Sequence, residues 1–180
     1  MINRRHMALI FLIVAGPEFA VADLVSASFS VPANIQIESG DTWSQDGRKY
    51  RLYGVQSCLR GTKFITPTQT LDCGLMSLAQ FAALVQTAPV SCQPVGLAKD
   101  GAEFAICGAR FGNGSNETKI VDIGTALISS GFAFAAIDQK GTAVNANYLI
   151  AELVAKKNRS GLWAGEFRHP VQMLVNSSQP

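Results

Sequence analysis

Four cysteines, Cys58, Cys73, Cys92 and Cys107, have the clearest capacity for chemistry in this 180-residue chain. A structural zinc site usually brings two ligands within about two to four residues of each other. Here each cysteine stands about fifteen or more positions from the next, and His169 is the one histidine beyond the first 22 residues. An even count with such wide spacing points to disulfides, and counting alone leaves three pairings open. Paired cysteines supply no thiolate, which excludes cysteine-with-histidine catalysis. His169 lies directly before Pro170, and nothing around it makes a serine triad.

Asp41 and Arg51 are a carboxylate and a guanidinium flanking a turn sequence. Both have ordinary structural uses. Asp41 can cap the turn after Gly40, and Arg51 can pair with it or with Glu38. Of the two tryptophans, Trp163 reads as a core residue under the last helix. Trp43 reads as the surface aromatic, placed to stack a ring or to cover a sheet edge. Basic residues cluster at Arg48, Lys49 and Arg51 and again at Lys156, Lys157 and Arg159, which read as solvated faces. Asn113, Asn116, Asn158 and Asn176 stand in Asn-x-Ser/Thr sequences, relevant only in a host that glycosylates.

The elements that must position these residues begin behind a leader. Arg4 and Arg5 precede an uncharged run from Met7 to Gly16, and Ala20-Val21-Ala22 precedes Asp23. That is the layout of a secretory signal over residues 1–22. The apolar run is about half the length that crosses a bilayer. Cleavage after Ala22 removes Arg4, Arg5 and Glu18 and leaves 13 basic and 12 acidic residues, a net charge of +1. A protein that grips nucleic acid mainly through phosphates usually carries a larger basic excess. The expectation is one exported domain over 23–175, periplasmic or secreted, with a flexible tail over 176–180.

Asn34 to Glu38 alternates as a half-buried strand does, and Asp46-Gly47 signals a tight hairpin returning through Lys49 to Val55. Gln56 to Leu71 reads as a long loop. Helical spacing from Gly74 to Gln86 stops before Pro89. Val90 to Leu97 and Glu103 to Phe111 read as strands joined at Lys99-Asp100-Gly101, with a loop from Phe111 to Glu117. A second helix opens at Asp122 and closes at Gly131, a strand follows over Phe132 to Ile137, and a third helix runs from Asn147 to Lys157. Leu149, Ile150, Leu153 and Val154 share one face of that helix. This order suggests an α+β fold with a five-stranded OB-type barrel and three packed helices.

Gly40-Asp41-Thr42 followed by Arg51-Leu-Tyr-Gly-Val55 resembles the opening of the staphylococcal-nuclease (thermonuclease) family. The likeness continues through Cys73-Gly74, Cys92, Ala105-Ile-Cys107 and Asp122 to Gly131-Phe-Ala. It ends with Tyr148, Glu152 and Gly161-Leu-Trp-Ala-Gly-Glu-Phe167 before Pro170. The resemblance covers most of the chain and is closest to exported bacterial members. It implies the OB barrel with three helices, and disulfides joining Cys58 to Cys73 and Cys92 to Cys107.

Calcium-assisted phosphodiester cleavage needs carboxylates on the cation, a glutamate to activate water and two arginines on the phosphate. The resemblance keeps the first metal carboxylate as Asp41 and the first arginine as Arg51. It places the second metal ligand at Gln56, the glutamate at Leu59, the second arginine at Ala102 and the first acid of the opening motif at Ser39. Each lost charged contact costs about a hundredfold or more in rate. The sequence therefore points to an exported pseudoenzyme without a cofactor, with Asp41 as the one weak metal candidate. Its expected work is binding or assembly in the cell envelope, on a protein or on an extended polymer such as nucleic acid or glycan. The alternatives are a secreted calcium-dependent endonuclease with a modified site and a polysaccharide-associated factor using Trp43.

Overall fold

The computed structural model describes residues 28–112 and 118–177. The leader, the loop residues 113–117 with Asn113 and Asn116, and residues 178–180 lie outside the described residues.

Strands β1 (Phe29–Val31), β2 (Gln36–Ile37), β3 (Thr42–Gln45) and β4 (Arg48–Leu52) open the domain. Asp46 and Gly47 take φ of 51° and 73°, the left-handed pair that a two-residue hairpin needs. The turn sets Trp43 against Tyr50 and Thr42 against Arg51. Gly54, at φ 74°, ends the returning strand early. The segment expected as one strand from Lys49 to Val55 is therefore two, β4 and β5 (Val55–Ser57).

The expected long loop from Gln56 to Leu71 holds β5, β6 (Lys63–Ile65) and β7 (Thr70–Asp72). The last two form a hairpin whose turn is closed by the Thr66 N–H on the Gln69 carbonyl at 2.9 Å. Asp72 then caps helix α1 (Cys73–Thr87), accepting from the Leu75 N–H at 2.9 Å. A Cβ at Gly74 would stand 2.5 Å from the Arg60 backbone nitrogen, so only glycine lets the helix start there.

Strands β8 (Val90–Leu97) and β9 (Glu103–Gly112) form the longest hairpin, and Phe111 and Gly112 belong to β9 and not to a loop. Strand β4 adds to β9 in parallel, Tyr50 opposite Glu103. The strand order in the main sheet is β1-β8-β9-β4-β3-β2, with β10 (Thr118–Asp122) also on β9. Helix α2 (Ile123–Ser129) is capped by Asp122, and Gly131 follows at φ 79°. Strand β11 (Ala133–Ala135) pairs with β5 as a separate ribbon. Helix α3 (Ala146–Lys157), a 3-10 turn (Gly161–Ala164), β12 (Glu166–Phe167) on β6, and helix α4 (Pro170–Ser177) complete the described residues. Asn176 and Ser177, expected in the flexible tail, are the end of α4.

The result is a mixed α+β fold whose main sheet curls as a half-barrel, with three substantial helices. Its strands are hydrogen-bonded as three sheets, an arrangement compatible with the expected barrel. Two cores result. Trp43, Leu52, Phe81, Ile123 and Leu127 fill the larger one beneath the main sheet. Cys58, Phe64, Cys73, Phe134 and Leu162 fill the smaller one. Disulfides join Cys58 to Cys73 and Cys92 to Cys107, with Cα separations of 5.7 and 4.1 Å. No helix among the described residues is long and apolar enough to cross a membrane.

Candidate functional site

The β3–β4 hairpin brings Asp41 and Arg51 to one end of the main sheet, and a hydroxyl connects them. Arg51 Nε donates to Thr42 Oγ1 at 3.3 Å, and Thr42 Oγ1 donates to Asp41 Oδ1 at 2.9 Å. The guanidinium then continues to Asp100, at 2.8 Å. Arg51 thus pairs with neither Asp41 nor Glu38, because the parallel β4–β9 pairing brings the Asp100 turn beside it. Glu38 takes Lys49 instead, at 2.7 Å, and the Ser44 hydroxyl.

These contacts set the local charge. The Arg51 hydrogen bond, then the Ala102 N–H, holds the Asp100 carboxyl below the usual carboxylate range. Glu38 is likewise lowered, by Lys49 and then by Ser44. Arg48 lies 3.3 Å from Glu103. All three cations of the first basic cluster therefore face a carboxylate of the protein itself.

Asp41 is buried, 5% exposed. Its Oδ1 accepts the Ser39 hydroxyl at 2.5 Å and the Thr42 hydroxyl at 2.9 Å, and its Oδ2 accepts the Ser57 N–H at 2.9 Å. Both oxygens are thereby occupied by donors. A cation on this carboxylate would have to displace them, and calcium wants about six to eight oxygens around it. Gln56 turns its amide nitrogen to the Ser57 carbonyl at 3.0 Å. Leu59 lines a groove of about 710 Å³ with Arg60, Lys63, Phe167 and Arg168. Ala102 is fully buried. No three His, Cys, Asp or Glu side chains converge among the described residues.

Trp43 is not the surface aromatic expected. It is 0% exposed, stacked on Tyr50 at 5.4 Å and tilted against Phe81 at 5.7 Å. The hairpin register puts Trp43 and Tyr50 opposite each other on the core face, where α1 covers them. The glycan reading loses its stacking platform. Trp163 is half-buried and packs on the smaller core, with Lys156 Nζ 5.3 Å from its ring centroid.

A second carboxylate, Glu152, is part-buried, and its role escaped sequence reasoning. Glu152 Oε2 accepts the Ala135 N–H at 2.6 Å, and its Oε1 lies 3.1 Å from His169 Nε2. The imidazole sits among Phe134, Trp163 and Phe167, with centroids 4.5, 5.7 and 6.3 Å away. An acid orienting a histidine is two parts of a triad, but no serine hydroxyl meets the imidazole among the described residues. The available signal was Glu152 itself, an acid sharing the inward side of α3 with Tyr148 and Ala155. Tyr148 donates to Asp122 Oδ1 at 2.9 Å, and burial, then the Asp122 charge, pushes its hydroxyl far above the usual tyrosine range.

No protein-family model matches the chain, and no curated protein matches it either.

Proposed function

We propose that the protein is an exported binding or assembly module built on a staphylococcal-nuclease-like OB frame, without metal-dependent nuclease activity. The supporting observation is Asp41. It is the one metal-site carboxylate that the resemblance retains, and its oxygens hold Ser39, Thr42 and Ser57. The paired Arg51 reinforces the reading, since a guanidinium facing Asp100 is a weakened phosphate ligand. Two disulfides fit an oxidising compartment.

The test is cleavage of single-stranded DNA and RNA by the purified protein, with calcium and then with a chelator. The expected result is no metal-dependent product. Calcium-dependent cleavage that disappears in Asp41→Asn, with the variant still folded by circular dichroism, would replace this reading with that of an active endonuclease.

A further inference from the structure

Strands β6 and β12, with the turn before β6 and the start of α4, line the groove of about 710 Å³. That volume is in the range of small-molecule sites. Neither Asp41 nor Arg51 lines it. Leu59, Ile65, Phe167 and Met173 supply its apolar lining, and Arg60, Lys63 and Arg168 its cations. Glu166 is the one acid of the lining, which therefore carries two net positive charges. None of these three cations forms an ion pair among the described residues, whereas Arg48, Lys49 and Arg51 each face a carboxylate. Asp72 stands opposite Lys63 in the β6–β7 register, but its oxygens accept the Gly61 and Leu75 N–H groups, each at 2.9 Å.

Both walls are held in advance. The Cys58–Cys73 bridge closes the segment that carries Leu59 to Ile65, and the Cys73 N–H donates to the Thr62 carbonyl at 2.8 Å. The opposite wall is fixed by pairing, Glu166 to Ile65 and Phe167 to Phe64. Walls already ordered lose little freedom when a ligand arrives. We infer that the groove binds a small amphipathic anion. Its apolar body would lie against Ile65 and Phe167, and its carboxylate, sulfonate or phosphate among Arg60, Lys63 and Arg168. This gives a ligand class to the binding role proposed above and rests on that role, but not on the loss of nuclease chemistry.

Charge decides against a neutral occupant, since a neutral glycan would leave three cations unanswered beside apolar surface. Volume decides against a polymer, since a groove of this size takes a small molecule whole. The aliphatic face of α3, formed by Leu149, Ile150, Leu153 and Val154, is also exposed. A ligand held there would be indifferent to the charges at Lys63, Arg168 and Glu166.

Two fluorescent probes with the same rings test this on the disulfide-bonded protein. Anilinonaphthalene sulfonate has an anionic head, and phenylnaphthylamine lacks it. The sulfonate should bind saturably, about tenfold or more tighter than the amine. Lys63→Gln and Arg168→Gln should each weaken sulfonate binding about tenfold, with Tm unchanged because both side chains are exposed. Glu166→Gln removes the acid and should tighten binding about twofold. Ile65→Thr should weaken both probes alike. Displacement of the sulfonate by dodecanoate would make the ligand an acyl anion, and displacement by naphthoate an aromatic one. Displacement by neither overturns the proposal, as does an amine that binds as tightly as the sulfonate. Absence of saturable binding, or binding indifferent to Lys63, Arg168 and Glu166, overturns it equally. Calcium-dependent cleavage of nucleic acid would remove the pseudoenzyme reading and leave these binding results standing.

Discussion

Asp41 and Glu152 hold the two strands of one ribbon, β5 and β11, in different company. Asp41 receives the Ser57 N–H of β5, and Glu152 receives the Ala135 N–H of β11. Each supplies, from outside the ribbon, an acceptor that a neighbouring strand would otherwise provide. The companions of Asp41 are two hydroxyls, whereas that of Glu152 is an imidazole enclosed by aromatic rings. Asp41 and Glu152 each serve as an acceptor for the sheet, whatever their further companions. A structural acceptor asks only for neutral donors, while a metal ligand asks for further open oxygens beside it.

Four perturbations sharpen or break this comparison. The largest expected effect is removal of Cys58–Cys73 by double alanine substitution. A 15-residue loop gives about 3 kcal/mol in urea denaturation by the chain-entropy account. Because Cys58 directly follows Ser57, hydrogen exchange should quicken more at Ser57 than at Ala135.

Asp41→Ala should cost about 2 to 3 kcal/mol by leaving a buried N–H and two hydroxyls unmatched, and Asp41→Asn should cost less. Glu152→Ala should cost about 1 to 2 kcal/mol, measured in the same way. A Glu152→Ala loss larger than that of Asp41→Ala would break the ranking. The smallest effect belongs to Arg51→Met, below about 1 kcal/mol because the Asp100 carboxylate is half exposed. The lowered Asp100 adds stability above the ordinary carboxylate range, and this is lost as pH falls through its depressed value. An NMR titration of Arg51→Met should show Asp100 moving back up, with that acid-limb loss gone.

Legibility followed local chemistry. Helical spacing and Pro89 marked α1, an Asp cap and a glycine exit marked α2, and Asp46-Gly47 marked the hairpin, because each rule acts within a few residues. The β6–β7 hairpin was hidden, since its turn at Thr66 to Gln69 has no glycine and its strands are three residues long. Trp43 was misjudged because its polar neighbours in sequence say nothing of Phe81, which arrives from a helix 38 positions later. The solvent-facing side of α3 was equally out of reach, because periodicity gives a shared face but not its direction. At the site, residue types showed which charges stood where. They could not show that Thr42 links Asp41 to Arg51, or that Asp100 would claim the guanidinium.

Cys92 and Cys107 are directly opposite in the β8–β9 ladder. A slip of one residue turns one of two opposed side chains to the other face. A hairpin slipped by one residue would therefore hold its two thiols on opposite sides of the sheet, where they could not bridge. The bridge acts as a gauge: it rejects a one-residue slip, and once formed it retains the alignment that builds the main sheet.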